Sequence, residues 1–115
     1  HGTRSMLLQD ADGNILPTHS VSAGLDYPSI GPEHADLAAR GRCEYRWIGD
    51  DAALGGFQWL ASQEGILPAL ESAHALAWAK DEIAHLPPGT VMIVNVSGRA
   101  DKDVEAIRRR LESAR

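Results

Sequence analysis

The sequence predicts an α/β fold with a mainly parallel sheet flanked by helices, preceded by an N-terminal β-hairpin. The first indication is the continuous apolar run "TVMIVNV", residues 90–96, which is typical of a strand buried on both faces. The second is the order of elements from residue 43 onward, which is strand, helix, helix, strand, helix. The third is the turn signal Asp12-Gly13 between the strand-like stretches 5–9 and 15–21, which predicts the hairpin.

The rest of the chain is predicted to contain one long loop, one further strand and four helices. The loop "SAGLDYPSIGPEH" holds two glycines and two prolines, and long irregular loops in compact domains are usually functional. The alternating stretch "CEYRWI" is predicted to be a strand. Cap residues and glycine or proline stop signals place the helices at 32–40, 50–63, 68–86 and 101–114. Gly55 and Gly56 are unfavourable within the second helix, since each costs about 1 kcal/mol against alanine.

Composition excludes several classes of protein. The net charge of −5 and the absence of a basic stripe argue against nucleic acid as a partner. No apolar run approaches the length of a membrane span, so no membrane association is expected. The single cysteine, Cys43, permits no disulfide within the chain and fits a reducing cytosol, which predicts a cytoplasmic protein.

Ser97 and Gly98 are the first candidate site, because they follow the apolar strand and precede a helix. Ligands in open α/β sheets bind beyond the carboxyl ends of strands, where the Ser97 hydroxyl could donate and accept hydrogen bonds. The alternative is that the pair only shapes a turn before Asp101 caps the helix. A phosphate site at the helix start in "SGRADKD" is a further alternative, although the glycine-rich phosphate fingerprints are absent.

Glu71 and Asp26 are the other candidates. Between Ile66 and Trp78 the sequence is apolar except for Glu71, Ser72 and His74, so Glu71 either favours the helix dipole or is a partly buried acid with a chemical role. His74 follows on the same helix face and is read as a packed residue rather than a ligand. Asp26 lies in a loop with glycine and proline, where aspartate usually shapes a turn. The histidine and cysteine spacings match no metal motif.

Three long segments, in this order and spacing, resemble the C-terminal part of the tryptophan synthase β subunit: "SVSAGLDYPSIGPEHADL", "EGILPALESAHALAWA" and "VNVSGRADKDV". The resemblance spans almost all 115 residues and implies fold type II of the pyridoxal-phosphate enzymes. We therefore expect one partial domain, with residues 1–31 forming the hairpin and an active-site loop and residues 32–115 forming an α/β unit. A chain that begins His-Gly-Thr-Arg, without methionine, also suggests a segment of a longer one.

The resemblance implies an enzyme that uses pyridoxal 5′-phosphate to replace the hydroxyl of L-serine with indole. Indole would come from a partner α subunit, and a second β subunit is also implied. Ser97 would hydrogen-bond the pyridine nitrogen of the cofactor, with Gly98 beside it. A neutral hydroxyl there favours a protonated ring less than a carboxylate would, which suits β-replacement.

The same resemblance assigns the remaining site residues. Glu71 matches the acid that assists proton transfer and indole activation, and Asp26 matches a loop aspartate that changes partners as the active site closes. Gly24 lies where a backbone carbonyl approaches the cofactor. The backbone carbonyls of Tyr27 and Ser29 match positions that bind a monovalent cation.

The chain lacks other parts of that family's site. Its only lysines are Lys80 and Lys102, and neither stands in the family's Schiff-base motif. The glycine-rich loop for the cofactor phosphate is also absent, and Ala100 replaces a glycine usual in the family. We expect the parent protein to be a pyridoxal-phosphate lyase and the 115 residues alone to be inactive. The alternative is a non-catalytic module that self-associates or pairs with a missing half, because the strand 90–96 would otherwise leave an exposed edge.

Overall fold

The computed structural model describes residues 2–113 and divides the chain into two compact units, His1–Trp47 and Ile48–Arg115. Each unit is described by itself below. The predicted division into residues 1–31 and 32–115 stays a prediction. In the described part of the chain, no helix is both long enough and apolar enough to cross a membrane.

The first unit begins with a reversal of the backbone at Asp10–Asn14, where the hairpin turn is predicted. The Asp10 amide donates to the Asn14 carbonyl at 3.0 Å, and Gly13 has a positive φ of 86°, which glycine adopts without strain. Beyond the turn, Gln9 and Ile15 form one antiparallel bridge. A second isolated bridge joins Leu7 to Ser29. The chain therefore turns back as expected, but these single bridges do not confirm the hairpin as a pair of regular strands.

One α-helix follows in this unit. Helix α1 is Pro32–Ala39, and Pro32 occupies its first turn, where the missing amide of proline costs nothing. Gly41 follows with φ +63°, the left-handed backbone that commonly ends a helix. Both boundary signals read from the sequence are confirmed.

The second unit contains three α-helices: α2, Asp50–Glu64; α3, Leu70–Glu82; and α4, Val104–Ser113. Short 3-10 turns occur at Ile83–His85, after α3, and at Ala100–Lys102, before α4. All three predicted helices are present, although the last begins at Val104 rather than at residue 101, and Asp101 lies in the 3-10 turn before it instead of capping it. The expected end of the last one at Ala114 lies outside the described residues.

Details of the helix ends differ from the sequence prediction. Asp50 and Asp51 do not cap α2, because Gly49 is the capping residue and both acids lie in the first turn. Gly65 ends α2 in the left-handed conformation, as predicted. Helix α3 begins two residues after the expected Pro68, with Ala69 as its N-cap.

The core of the second unit lies between α2 and α3, which pack against each other. A Cβ atom added at Gly56 would lie 2.5 Å from the Ala73 carbonyl oxygen and 2.8 Å from the Ala77 nitrogen. Gly56 thus lets the two helix backbones approach closely, which offsets the low helix propensity of glycine. The buried apolar residues of this unit are Ala53, Leu54, Phe57, Ala69, Leu70, Ala73, Leu76, Ala77, Ala79 and Ile107.

The predicted parallel sheet is not confirmed, and no strand is present among residues 2–113. The stretches 43–48 and 90–96 lack regular strand pairing, so neither forms the predicted strand. The apolar run 90–96 instead exposes 85% of Val91 and 90% of Ile93. A parallel strand depends on neighbouring strands for its backbone hydrogen bonds, and the described residues supply none to this segment.

Candidate functional site

Ser72, in the first turn of α3, holds the backbone of Ser97. The Ser72 hydroxyl donates to the Ser97 carbonyl at 3.0 Å and accepts from the Ser97 amide, also at 3.0 Å. Ser72 is buried, whereas the Ser97 residue is exposed. Both bonds use the backbone of Ser97, so its own hydroxyl is not used by either of them.

The first turn of α3 is capped by Asp103, six residues after Ser97 in the chain. Asp103 is buried, and its Oδ2 accepts a hydrogen bond from the Leu70 amide at 2.9 Å. The first amides of a helix have no partner within the helix, so a carboxylate at this point supplies one and also favours the helix dipole. The cap therefore comes from a residue distant in sequence rather than from the residue before the helix.

Glu71 joins the same arrangement through Lys102. The Lys102 ammonium nitrogen lies 3.1 and 2.9 Å from the two carboxylate oxygens of Glu71. It also lies 2.8 Å from each carboxylate oxygen of Asp103. One cation thus links the candidate acid to the buried cap.

Gly98 packs closely against α3. Its φ is +78°, and a Cβ built there would lie 3.3 Å from the Cβ of Ala69. Both the left-handed backbone and the close contact disfavour any residue larger than glycine. Gly98 therefore brings the turn after Ser97 directly against the start of the helix.

These contacts define one structural feature, which we call the 69–72/97–103 clamp. Its members are the residues Ala69–Ser72 at the start of α3 and the residues Ser97–Asp103 in the segment directly before α4. The N-cap residue Ala69 and the first three residues of α3 each have a partner in the second segment, in the pairs Ala69–Gly98, Leu70–Asp103, Glu71–Lys102 and Ser72–Ser97.

Electrostatics in the clamp keep its lysine charged. The hydrogen bond to Asp103 is the largest influence raising the pKa of Lys102 above its ordinary value of 10.5, and the bond to Glu71 raises it further against the opposing effect of burial. A protonated lysine bound to two carboxylates is an ion-pair partner. It is a poor candidate for the free amine that a Schiff base requires.

The other lysine and the α3 histidine lie in different surroundings. Lys80 is exposed, with its ammonium nitrogen 6.0 Å from the centre of the Trp59 ring. His74 donates through Nδ1 to the Leu70 carbonyl of its own helix at 2.7 Å, since a carbonyl can only accept. This contact supports the interpretation of His74 as a packed residue.

Asp26 lies in the first unit, directly after the 3-10 turn Ala23–Leu25 that contains Gly24. Its Oδ1 atom is buried and has no hydrogen-bond partner among residues 2–113. The hydroxyl oxygen of Ser22 is in the same condition within that part of the chain. Buried polar atoms nearly always have partners, so an unpaired carboxylate oxygen indicates a group available to a further partner.

Tyr27 and Ser29 follow this turn, on either side of a bend at Pro28. Pro28 accepts a backbone hydrogen bond from Leu8 at 2.7 Å, and the Ile30 amide donates to Met6 at 3.3 Å. Neighbouring residues of extended backbone direct their polar groups to opposite sides. The carbonyl of Ser29, the residue that forms the bridge with Leu7, therefore points away from this pairing.

The sequence names Ser97, Gly98 and Glu71 as candidates but does not indicate the residues that contact them. Ser72 was visible only as one of three polar residues in an apolar stretch. In the sequence, Lys102 and Asp103 are typical of the charged first turn of a helix. Their partners lie 31 to 33 positions away, and no local pattern reports a contact at that distance along the chain.

The clamp presents an exposed hydroxyl on a constrained backbone, close in the chain to a carboxylate and a lysine. These are the contacts among the candidate residues, and the comparisons with known proteins show what the chain is similar to. Over 107 residues the chain is 55% identical to the tryptophan synthase β chain of Chromobacterium violaceum. No family model matches the chain.

The similarity covers 93% of this chain but only 27% of the relative. The chain thus corresponds to a C-terminal portion of a tryptophan synthase β-like protein, and the resemblance carried by its three segments is confirmed. It spans about a quarter of the length of the curated relative that it matches.

Proposed function

We propose that this chain supplies the ring-nitrogen side of a pyridoxal 5′-phosphate site in an enzyme that joins L-serine and indole into L-tryptophan. The observation that carries the proposal is the pair of hydrogen bonds between the Ser72 hydroxyl and the Ser97 backbone. Neither bond uses the hydroxyl of the exposed Ser97 residue. Its hydroxyl can donate to, or accept from, a heterocyclic nitrogen. The sequence similarity to a tryptophan synthase β chain supports the choice of cofactor.

The residues of the chain fit one side of the cofactor and not the other. Ser97 offers a neutral hydrogen-bonding group, and Gly98 offers backbone without a side chain beside it. For the aldehyde side, Lys102 is bound to Glu71 and Asp103, and Lys80 lies over Trp59. We infer that the Schiff-base lysine and the phosphate loop come from outside these 115 residues.

When bound, pyridoxal phosphate supplies the electron sink for chemistry at the amino-acid carbons. The part of this chain is to bind and orient. Ser97 would hold the ring nitrogen through a neutral hydrogen bond, and Glu71 would hold or move a proton near the substrate. Lys102 keeps the Glu71 carboxylate in place. In the first unit, Asp26 is the proposed loop aspartate that changes partners, and its unpaired Oδ1 can accept a hydrogen bond.

A monovalent cation at the carbonyls of Tyr27 and Ser29 belongs to the same proposal, as do an α subunit and a second β subunit as partners. We propose a cytoplasmic location, in keeping with one exposed free cysteine. In isolation the chain would be catalytically inactive, because covalent anchoring and phosphate binding are both lacking.

The test is complementation. The chain is mixed, with pyridoxal phosphate, with the part of the Chromobacterium violaceum relative that the chain does not cover. We expect the mixture to bind the cofactor and turn over serine with indole, whereas the chain alone does neither. The relative's own matching segment is the positive control. The proposal fails if that control restores turnover and this chain does not. The claim of inactivity fails if the chain alone gives a lysine-linked absorbance band and consumes serine.

The exposed apolar segment favours a second candidate, a non-catalytic module that pairs with another chain. Val91 and Ile93 are almost fully exposed, and an apolar segment with strand propensity but no partner tends to pair with another chain. Sedimentation velocity separates the cases. A concentration-dependent oligomer that Ile93→Lys abolishes supports self-association, and a monomer at all concentrations argues against it.

A further inference from the structure

We propose that Ser72 is the positioning residue for Ser97, setting the place and direction of the hydroxyl that meets the cofactor ring. This inference deepens the proposed function and rests on it. No role for Ser72 follows from its position in the sequence alone.

The first observation is that one hydroxyl satisfies both backbone groups of one residue. Ser72 Oγ donates its hydrogen to the Ser97 carbonyl and accepts the Ser97 amide hydrogen, each at a distance of 3.0 Å. A hydroxyl carries one donor and two acceptor sites, so serine can make both bonds at once. Alanine could make neither.

The second observation is the burial of this contact. Ser72 is only 5% exposed, and it lies on a helix whose neighbouring residues Leu70 and Ala73 are also buried. A buried hydroxyl without a partner costs more than its hydrogen bond gains, so the pairing with Ser97 is strongly favoured over any open arrangement. These bonds thereby hold the backbone of Ser97 in a fixed position against helix α3.

The third observation is the lack of other support for Ser97. In a regular sheet its amide and carbonyl would bond to neighbouring strands, but the described residues show no strand at this point. The next residue, Gly98, has the left-handed φ of +78°, so the chain changes direction immediately. The Ser72 hydroxyl thus replaces sheet pairing as the support that sets where the Ser97 side chain begins.

The inference predicts that Ser72 acts only through Ser97. Hydrogen exchange in the chain without cofactor tests the contact itself. Ser72→Ala should make the Ser97 amide exchange about tenfold faster, because the loss of one hydrogen bond is worth about that factor. Ser62→Ala is the matched control, since the Ser62 hydroxyl also donates to a backbone carbonyl, that of Trp59 within α2, at 2.9 Å. It should leave the Ser97 amide unchanged.

A double-mutant cycle in the complemented protein tests the positioning role. Ser72→Ala and Ser97→Ala should weaken pyridoxal phosphate binding by similar factors of about five to ten, and should move the cofactor absorbance in the same direction. The double variant should bind no more weakly than Ser97→Ala alone. Ser72→Cys, which keeps a weak donor and acceptor of similar size, should give intermediate values and replaces Ser72→Ala if that variant does not fold.

The outcomes separate this inference from the proposed function. Additive losses in the cycle, or an unchanged absorbance with Ser72→Ala, would overturn the positioning role while leaving the cofactor assignment intact. If the unmutated mixture binds no cofactor, the proposed function fails. The hydrogen-exchange comparison then decides whether Ser72 holds Ser97, and unchanged exchange in Ser72→Ala overturns that statement too.

Discussion

Asp103 caps helix α3 at Leu70 from a position outside the helix. Its Oδ2 atom lies 2.9 Å from the Leu70 amide, and both residues are buried, with 7% and 1% of their surfaces exposed. The bond connects the turn before α4 with the first residue of α3. It is therefore a tertiary contact that does the work of a local helix cap.

Removing this carboxylate should destabilise the second unit. Asp103→Ala leaves the buried Leu70 amide without a partner, and we expect the free energy of unfolding to fall by about 1–3 kcal/mol. Urea denaturation followed by circular dichroism measures the change. The matched control is Asp101→Ala, whose carboxylate pairs with Arg99 at 3.2 Å with both side chains more than two-thirds exposed. Its effect should stay within about 0.5 kcal/mol, and equal losses in the two variants would contradict the cap.

The lysine of the clamp should make stability depend on alkaline pH. The pKa of Lys102 is raised above 10.5 in the folded chain, first by the hydrogen bond to Asp103. A raised pKa stabilises the fold below the unfolded value, and that contribution is lost as the pH rises through the folded value. We therefore expect stability to fall above pH 10.5, with a shallower fall in Lys102→Met.

Two comparisons sharpen this pH measurement. Lys80→Met removes the lysine over Trp59 and should leave the slope unchanged. Burial also raises the pKa of Tyr45 above 10.0, so Tyr45 too makes stability fall at alkaline pH. Tyr45→Phe measures how much of the fall in stability comes from the first unit. A slope that Lys102→Met does not alter would be incompatible with the ion-pair network.

The two adjacent glycines of α2 should respond oppositely to alanine. Gly56→Ala places a methyl group against the backbone of α3, and overpacking of this kind costs about 1–3 kcal/mol. Gly55 has nothing within 4 Å of an added Cβ, so Gly55→Ala should gain up to about 1 kcal/mol from helix propensity. Thermal unfolding of the pair checks this, and a stabilised Gly56→Ala would refute the close helix contact.

The turn at Asp10 should open in acid. Its Oδ1 atom accepts from the amides of Asp12 and Asn14 at 3.0 and 2.8 Å, and its Oδ2 accepts from the Asn14 side chain at 3.1 Å. The Asn14 side-chain bond is the largest cause that lowers the pKa of Asp10 below 3.8. A lowered pKa gives stability that is present above 3.8 and lost as the pH falls through the folded value.

An NMR titration of the Asn14 amide tests this statement. The midpoint should lie below 3.8 in the unmutated chain. Asp10→Asn keeps an oxygen that accepts the backbone bonds but cannot titrate, so the Asn14 signal should no longer follow that curve. A midpoint at or above 3.8 in the unmutated chain would rule out the bonded turn.

The helices could be predicted from the sequence because their signals are local. Pro32 at the start of α1, Gly65 at the end of α2 and the apolar spacing of α3 act within a few residues of the backbone that they shape. The strands could not be verified in the same way. The apolar run 90–96 carries strand propensity, but a strand exists only with a partner, and partners are not a property of the run itself.

The candidate site shows the same difference between local signals and contacts distant in sequence. Ser97 and Glu71 were predicted because they stand at element ends within long similar segments. Ser72, Lys102 and Asp103 were not, because their importance lies in contacts with residues about 25 to 33 positions away. Such contacts follow from how α3 meets the turn after residue 96, which propensity and periodicity do not describe.

The closure of the clamp within residues 69–103 has a consequence for gene architecture. Every hydrogen bond and close contact that defines it joins two points inside this 35-residue span. A recombination breakpoint or a domain fusion elsewhere in the coding sequence would therefore sever none of them. The contacts of the clamp would thus be inherited together, whereas the packing of α3 on α2 reaches outside the span.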